Sequence, residues 1–301
     1  MNNWPKIFKF KNIFFAFLCV VLLSCSLARF CQTNFNLASE NLGSECEFSV
    51  YFFDVGKADC ALIKSKNHAV LIDAADKNSK QSIKDNLRKL GIKTIDLFVL
   101  THPHSDHYGQ TVDILKNFKV KCFATSKSRI ETSVKRDYKK IMKELKKNKI
   151  NKKLVKSGDL IEIDDIKIQI LGPTKEYFNI NNNSVVSRII YKEHSFLFTG
   201  DAEKESEKDI IEWCKKNNQE LKSNIIKIGH HGSNTSTSWN FLSSVKPKFA
   251  IISTSEDKFK LTKKVRSRLK EANVKTISTN SSGTAVICVN KDEIKINNLL
   301  S

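Results

Sequence analysis

A loop rich in histidine and aspartate, Thr101-His102-Pro103-His104-Ser105-Asp106-His107, constrains this chain more than any other feature. It follows the near-continuous apolar run Ile95–Leu100, which is typical of a strand buried on both faces, and it precedes a predicted helix over about 108–117. Neutral imidazoles and carboxylates are ligands that zinc, manganese and iron accept. Three of the seven histidines fall in this loop, and structural histidines rarely cluster in this way. The loop therefore predicts a metal site at the end of a strand.

The spacing within the loop favours two metal ions over one. His102 and His104 are two residues apart in extended backbone and can turn both imidazoles toward one point. Asp106 and His107 are adjacent at the start of the helix and can address a second point nearby. We expect a dinuclear centre.

Two later segments offer further ligands at strand ends. Asp201 comes just after the apolar run Phe196–Phe198, although Asp201 alone would be interpreted as a helix N-cap. The pair His230-His231 ends another apolar run and is flanked by glycines, which let the backbone approach a site closely. Each segment is weak evidence alone, but both place ligand-type side chains at the end of an apolar strand, as the metal loop does.

Hydrophobic patterning divides the chain into two batches of strands, each followed by helices. The alternation Phe48-Val50-Phe52 indicates a strand, and Ala61–Ile63 with Ala69–Ile72 predicts a hairpin. The span 132–147 predicts a strongly basic helix with an apolar stripe. We expect an α/β fold, an αββα sandwich of two mixed β-sheets with helices on the outer faces, forming one domain over 46–301.

The N-terminus has the pattern of an export signal. A basic segment precedes the apolar run Ile13–Leu23, which is shorter than the ~20 residues that a membrane-spanning helix needs. The run ends in Leu-Leu-Ser-Cys25, which resembles a bacterial lipobox and implies a lipid-anchored protein on the outer face of the cell membrane. We expect a lipoprotein-type signal peptide over 1–24 and a spacer over 25–45. An ordinary signal peptide, which would leave a secreted protein, and an uncleaved anchor are the alternatives.

Charge and cysteine content add little to these expectations. The formal net charge of +19 favours an anionic partner such as nucleic acid, but the basic residues are spread along the whole chain. Cys60, Cys122 and Cys288 lie in apolar, strand-like surroundings, where a buried thiol is expected. No disulfide pairing can be assigned from the sequence.

Together, in this order and at strand ends, the three ligand segments resemble the metallo-β-lactamase superfamily. The resemblance is greatest to its ComEC-like branch and covers nearly all of residues 48–296. Phe53-Asp54-Val55-Gly56-Lys57-Ala58-Asp59 is similar to the D-V-G-Q-G-D opening of that branch. Leu71-Ile72-Asp73-Ala74 is similar to its L-I-D-x-G strand, and Asn182-Asn183-Ser184-Val185-Val186 to its N-x-S-L-V element.

The resemblance implies one metal ion on His102, His104 and Asp201, and a second on Asp106, His107, Asp201 and His230. It favours His230 over His231 as the ligand and leaves His231 as an acid–base residue. It also implies that Asp54, Asp73, Asn183 and Ser184 orient the ligands or contact substrate. The superfamily's usual third histidine for the first ion is missing, since no histidine occurs between His107 and His194 and we expect His194 on the surface.

The expected activity is that of an exported dinuclear metallohydrolase, holding two divalent ions (zinc, with manganese possible), that cleaves phosphodiester or phosphoester bonds of DNA or of a phosphorylated envelope polymer. A metal-bound hydroxide would attack, oriented by Asp106, and His231 would protonate the leaving oxygen. A β-lactamase is disfavoured by the missing histidine. The alternatives are a hydrolase of a non-phosphate ester or amide, and a non-catalytic envelope lipoprotein that binds a polyanion on the same scaffold.

Overall fold

The computed structural model describes residues 46–254, 262–290 and 293–299 of the chain. The predicted signal peptide, the lipidated Cys25 and the spacer up to residue 45 lie outside the described residues. In the described ranges no helix combines the length and the apolar character needed to cross a membrane. The domain boundaries taken from the sequence stay predictions.

Two β-sheets form the centre of the fold. The first contains β1 (Phe48–Phe52), β2 (Ala61–Ser65), β3 (Ala69–Ile72), β4 (Thr94–Leu100), β5 (Lys119–Thr125), β6 (Asn151–Leu154), β14 (Thr284–Asn290) and β15 (Glu293–Leu299), in the order β15-β14-β1-β2-β3-β4-β5-β6. The second contains β7 (Leu160–Ile163), β8 (Ile166–Gly172), β9 (Val186–Tyr191), β10 (His194–Phe198), β11 (Ile225–Lys227), β12 (Phe249–Ile252) and β13 (Lys275–Ser278), in the order β13-β12-β11-β10-β9-β8-β7.

Helices lie on the outer faces of both sheets. The described helices are α1 (Ile83–Lys89), α2 (Ser105–Tyr108), α3 (Thr111–Asn117), α4 (Lys135–Lys147), α5 (Lys204–Lys216), α6 (Trp239–Val245), α7 (Lys263–Glu271) and α8 (Thr279–Ser282), with 3₁₀ turns at Asn181–Asn183 and Gly229–Gly232. Apolar residues of α1, α3 and α4 pack on the first sheet, and those of α5, α6 and α7 pack on the second.

Alternation along β1 shows how the sequence produces these layers. Phe48, Val50 and Phe52 point into the core between the two sheets, whereas Tyr51 points into the core under the helices. Aromatic pairs join the sheets, since the ring of Phe52 stacks on that of Phe198 at a centroid distance of 5.5 Å. Both faces of the first sheet are therefore covered, and the predicted αββα sandwich is confirmed.

The segment after the metal loop differs from the single helix predicted over 108–117. It forms α2, which begins inside the loop at Ser105, and then α3. The two are separated where the backbone N–H groups of Gly109 and Gln110 donate to the carbonyls of Ala75 (2.7 Å) and Ala74 (2.9 Å). A Cβ at Gly109 would lie within 3.0 Å of the backbone of residues 75–77, so glycine permits this close approach.

Two further expectations are corrected by the fold. His194 is buried in β10 with 8% of its surface exposed, because the hairpin turn ends one residue earlier than the sequence pattern indicates. Cys288 is bonded to Cys46, in a disulfide that joins β14 to a position two residues before β1. Cys60 is a buried free thiol, as expected, and Cys122 is partly buried.

Replacing Cys46 with serine should lower the free energy of unfolding by about 2–4 kcal/mol, because the disulfide restricts a long loop in the unfolded chain. Urea unfolding of the oxidised protein measures this loss. Cys122→Ser is the matched control and should change stability far less. Equal unfolding midpoints for the wild-type protein and Cys46→Ser would contradict the assignment.

Candidate metal centre

The predicted ligands meet at one edge of the sandwich because their strands end there. His102 and His104 follow β4, Asp106 and His107 lie in α2, and Asp201 follows β10. The two sheets are joined at this edge by a hydrogen bond from the backbone N–H of Val185 to the carbonyl of Thr101 (2.9 Å). Segments distant in sequence are thereby brought together.

Four residues form a compact group of potential ligands, whose ligating atoms all lie within 4.8 Å of one another: Asp106, His107, Asp201 and His231. Nε2 of His107 is 3.4 Å from Oδ1 of Asp201. Nε2 of His231 is 3.3 Å from Oδ2 of Asp106 and 3.7 Å from Oδ2 of Asp201. Only Asp106 has appreciable exposure, so this group can surround an ion while leaving one side open.

His102 and His104 lie beside this group. Nε2 of His102 is 3.0 Å from Nδ1 of His104, and the two ring nitrogens face each other as two ligands of one ion do. Nε2 of His102 is also 4.0 Å from Oδ2 of Asp201. Asp201 therefore lies between the two sets of ligands, as the predicted bridging carboxylate requires.

Asp73 holds His107 in position. Oδ2 of Asp73 is 2.7 Å from Nδ1 of His107 and accepts a hydrogen bond from Oγ1 of Thr101, while Oδ1 accepts one from the backbone N–H of Thr101. A carboxylate on one ring nitrogen fixes the tautomer and leaves Nε2 for a metal ion. The geometry thus agrees with the orienting role that the sequence predicts for Asp73.

Ser184 and Asn183 have different environments. Oγ of Ser184 lies 3.3 Å from Nδ1 of His102 and accepts a hydrogen bond from the backbone N–H of Asp201, so it contacts two ligand residues. The side chain of Asn183 instead bonds the backbone N–H and carbonyl of Tyr177. Asn183 is fully buried there, so the structure gives it a loop-holding position rather than contact with substrate.

The paired histidines differ in burial, although Nε2 of each lies 3.7 Å from Oδ2 of Asp201. His231 has a side chain 2% exposed and turns Nε2 toward Asp106 and Asp201, whereas the side chain of His230 is 26% exposed and its Nδ1 contacts Glu203 (3.3 Å) and Thr235 (3.0 Å). Both have left-handed backbone, with φ of 49° and 51°. This turn sends the second ring inward, so the geometry favours His231 as the ligand and leaves His230 at the edge of the centre.

Asp59, which the sequence analysis did not single out, lies where Asp54 was expected. Oδ1 of Asp59 is 3.5 Å from Nδ1 of His231, and Oδ2 is 2.8 Å from the buried Nζ of Lys227. Burial would raise the pKa of the Asp59 carboxyl, but Lys227 and His231 hold it below its usual range. Asp54 is not part of the groups of ligating atoms in the described residues. The final Asp of the opening motif could have revealed this position.

The family model described as the Metallo-beta-lactamase superfamily matches residues 53–255, about two thirds of the chain. The chain belongs to the metallo-β-lactamase superfamily. It is 31% identical over 197 residues to ComE operon protein 3 of Bacillus subtilis. The aligned segment spans 64% of this chain and 24% of that protein. It is 26% identical over 262 residues to Competence protein ComA of Neisseria gonorrhoeae, and this alignment spans 85% of this chain and 34% of that protein.

These relatives confirm the resemblance to the ComEC-like branch of the superfamily, although the chain spans only a quarter to a third of their length. Two solved structures superpose on this chain at low sequence identity. The superposition on Igni18, a metallo hydrolase from Ignicoccus hospitalis, includes 80% of this chain and all of Igni18, with a TM-score of 0.52 and 15% sequence identity. The superposition on CmlA, a diiron β-hydroxylase from Streptomyces venezuelae, includes 81% of this chain and 54% of CmlA, with a TM-score of 0.55 and 12% sequence identity.

The superfamily consists mostly of metal-dependent hydrolases, and the donor atoms of this chain fit a metal ion. Within the described part of the chain, four buried atoms of the central group make no hydrogen bond: Nε2 of His107, Nδ1 and Nε2 of His231, and Oδ1 of Asp201. A buried polar atom without a partner costs about 1–3 kcal/mol, which coordination would offset.

The electrostatics of the centre also favour a cation. Burial would lower the pKa of His107, but the carboxylates of Asp201 and Asp73 raise it well above its ordinary value. Burial would likewise raise the pKa of Asp201, yet His107 and His231 hold it well below its usual range. The lowered pKa favours the charged form of Asp201, and the field that favours a proton on His107 would also favour a divalent ion beside it.

Asp59→Asn should weaken metal binding by about 10–100-fold, the usual loss when a group that orients a ligand is removed. The substitution preserves shape but takes charge away from the Lys227 and His231 contacts. Competition with a chromophoric zinc chelator measures the affinity. Asp96→Asn is the matched control, because Asp96 is also buried and paired with a lysine, Lys121, but lies at the start of β4. Equal losses in both variants would show a general folding effect instead.

Proposed function

We propose that this protein is an exported metal-dependent hydrolase that cleaves phosphodiester bonds of nucleic acid, using two divalent ions, with zinc as the first candidate and manganese as the second. The observation that carries the proposal is the buried carboxylate of Asp201 lying between two sets of ligands, His102 with His104 and the group containing His231. A carboxylate shared in this way suits a pair of ions, which is the arrangement of many phosphodiester-cleaving sites.

The substrate class is supported by charge and by relatives. The chain carries a formal net charge of +19, which attracts a phosphate polymer through long-range electrostatics. The names of two curated relatives refer to competence, for Competence protein ComA of Neisseria gonorrhoeae, and to recombination, for Recombination protein 2 of Haemophilus influenzae. These names favour nucleic acid over a phosphorylated envelope polymer.

Export is supported by two independent features. The basic and apolar pattern at residues 6–25 is that of a lipoprotein signal, and lipidation at Cys25 would anchor the chain to the outer face of a bacterial membrane. The disulfide between Cys46 and Cys288 is the second feature, because disulfides persist mainly in oxidising compartments.

The chain's own residues would have distinct tasks in this reaction. When bound, two divalent ions would supply the Lewis-acid chemistry that activates water and stabilises charge on phosphorus. Asp73 and Ser184 hold His107 and His102 in place, and the partly exposed carboxylate of Asp106 faces the open side, where it can orient the attacking water. The exposed imidazole of His230, held at Nδ1 by Glu203 and Thr235, can deliver a proton from Nε2 to the leaving oxygen.

Hydrolysis of bis-p-nitrophenyl phosphate tests this proposal. With added zinc or manganese the protein should turn over, and His102→Ala and Asp201→Ala should each lose about 100-fold or more, since removing a ligand exceeds the 10–100-fold loss typical of orienting groups. His68→Ala is the matched control, because His68 pairs with Asp96 and Asp164 away from the centre and should leave turnover unchanged.

Turnover that resists both ligand substitutions and chelation would contradict the proposal. Polyanion binding without any turnover would favour a non-catalytic envelope protein. Turnover of carboxylic esters or amides but not of phosphodiesters would show that the substrate is an ester or amide without phosphate.

A further inference from the structure

Phe178 is the most exposed large apolar side chain in the described residues, with 85% of its surface exposed. Single exposed apolar residues are common on proteins and need no explanation by themselves. Phe178 differs because of how its backbone is held, what lies over its ring and where its loop leads.

The backbone on both sides of Phe178 is fixed. The backbone N–H of Tyr177 donates to Oδ1 of Asn183 (2.8 Å), and the Tyr177 hydroxyl donates to Oδ2 of Asp209 (2.9 Å). On the other side, the carbonyl of Asn179 accepts a hydrogen bond from the backbone N–H of Asn182 (3.2 Å), and Nδ2 of Asn179 donates to Oε2 of Glu203 (3.1 Å). The exposed ring is therefore presented from an anchored loop.

This loop borders the candidate metal centre. Glu203, which accepts from Asn179, also lies 3.3 Å from Nδ1 of His230 through its other oxygen. Farther along the same loop, Ser184 contacts His102. A short chain of contacts thus connects the residue next to Phe178 with the edge of the centre.

Arg129 completes the arrangement from a second loop. Its guanidinium carbon lies 4.6 Å from the centroid of the Phe178 ring, and the high exposure of Phe178 leaves most of the ring in solvent. The loop of Arg129 is joined to that of Phe178, because Oγ of Ser126 donates to the carbonyl of Asn183. An aromatic ring with an arginine beside it suits a base and its phosphate, since aromatic rings stack on any base and arginine binds phosphate oxygens.

We propose that Phe178 and Arg129 form a nucleotide platform at the rim of the metal centre, on which an unpaired base of a single-stranded nucleic acid stacks while Arg129 contacts a backbone phosphate. This inference rests on the proposed function and deepens it by narrowing the substrate from nucleic acid in general to single strands with unpaired bases. A phosphorylated polymer without bases would gain nothing from the exposed ring.

The test measures binding of the intact protein to a fluorescent single-stranded DNA by anisotropy, in EDTA so that hydrolysis cannot interfere. Phe178→Ala should raise Kd by about 5- to 150-fold, the range that the loss of one base–aromatic stack produces, and Phe178→Trp should restore affinity. An abasic strand of equal length should show no such difference between the variants. Trp239→Ala, which removes another exposed aromatic from α6, is the matched control and should leave Kd unchanged.

Arg129→Ala should weaken binding of both strands and reduce the slope of log Kd against log salt concentration by about 0.7, as expected for one lost phosphate contact on a single strand. An unchanged slope would overturn the role of Arg129.

Equal Kd values for the wild-type protein and Phe178→Ala, or equal losses on the base-bearing and abasic strands, would overturn the platform. Tighter binding of a glycerol-phosphate polymer than of DNA would also overturn it. Metal-dependent hydrolysis of bis-p-nitrophenyl phosphate by the wild-type protein would in any of these cases leave the proposed function standing, so the two failures are distinguishable.

Discussion

The cost of burying charge at the edge where the two sheets meet governs this structure. The carboxylates of Asp59, Asp73 and Asp201 are almost fully buried there and could not remain ionised alone in a medium of low polarity. Each has a positively charged or ring-nitrogen partner: Lys227 for Asp59, and His107 for Asp73 and Asp201. The need to pair each buried carboxylate with such a partner holds the loops in place. A cation at the centre would provide a further partner for these carboxylates.

The sandwich delivers these groups through parallel neighbours. β3 and β4 run parallel in the first sheet, as do β10 and β11 in the second, so the segments after these four strands reach the same edge. Asp73, the metal loop, Asp201 and the paired histidines are those segments. The remaining strands and the outer helices bury the apolar faces that hold this edge in place.

Much of this arrangement could be predicted because the information is local. Four ligand candidates lie within six residues after a buried strand, and strand alternation was enough to derive the αββα layers. The relative burial of His230 and His231 could not be derived, because it depends on a left-handed turn that sets the direction of both rings. Asp59 was missed in favour of Asp54 for a similar reason. Both carboxylates belong to one motif, and only the path of the turn between them decides which one reaches His231. The pairing of Cys46 with Cys288 depends on contacts across 242 residues, which periodicity does not record.

A pair of metal ions that share Asp201 at this edge would be visible in anomalous diffraction from crystals grown with zinc or manganese. Two peaks about 3.5–4 Å apart are expected. One should be bounded by His102, His104 and Asp201, and the other by Asp106, His107, Asp201 and His231. The absence of any peak at this edge, or a peak held by His230 with the His231 ring turned away, would contradict this expectation.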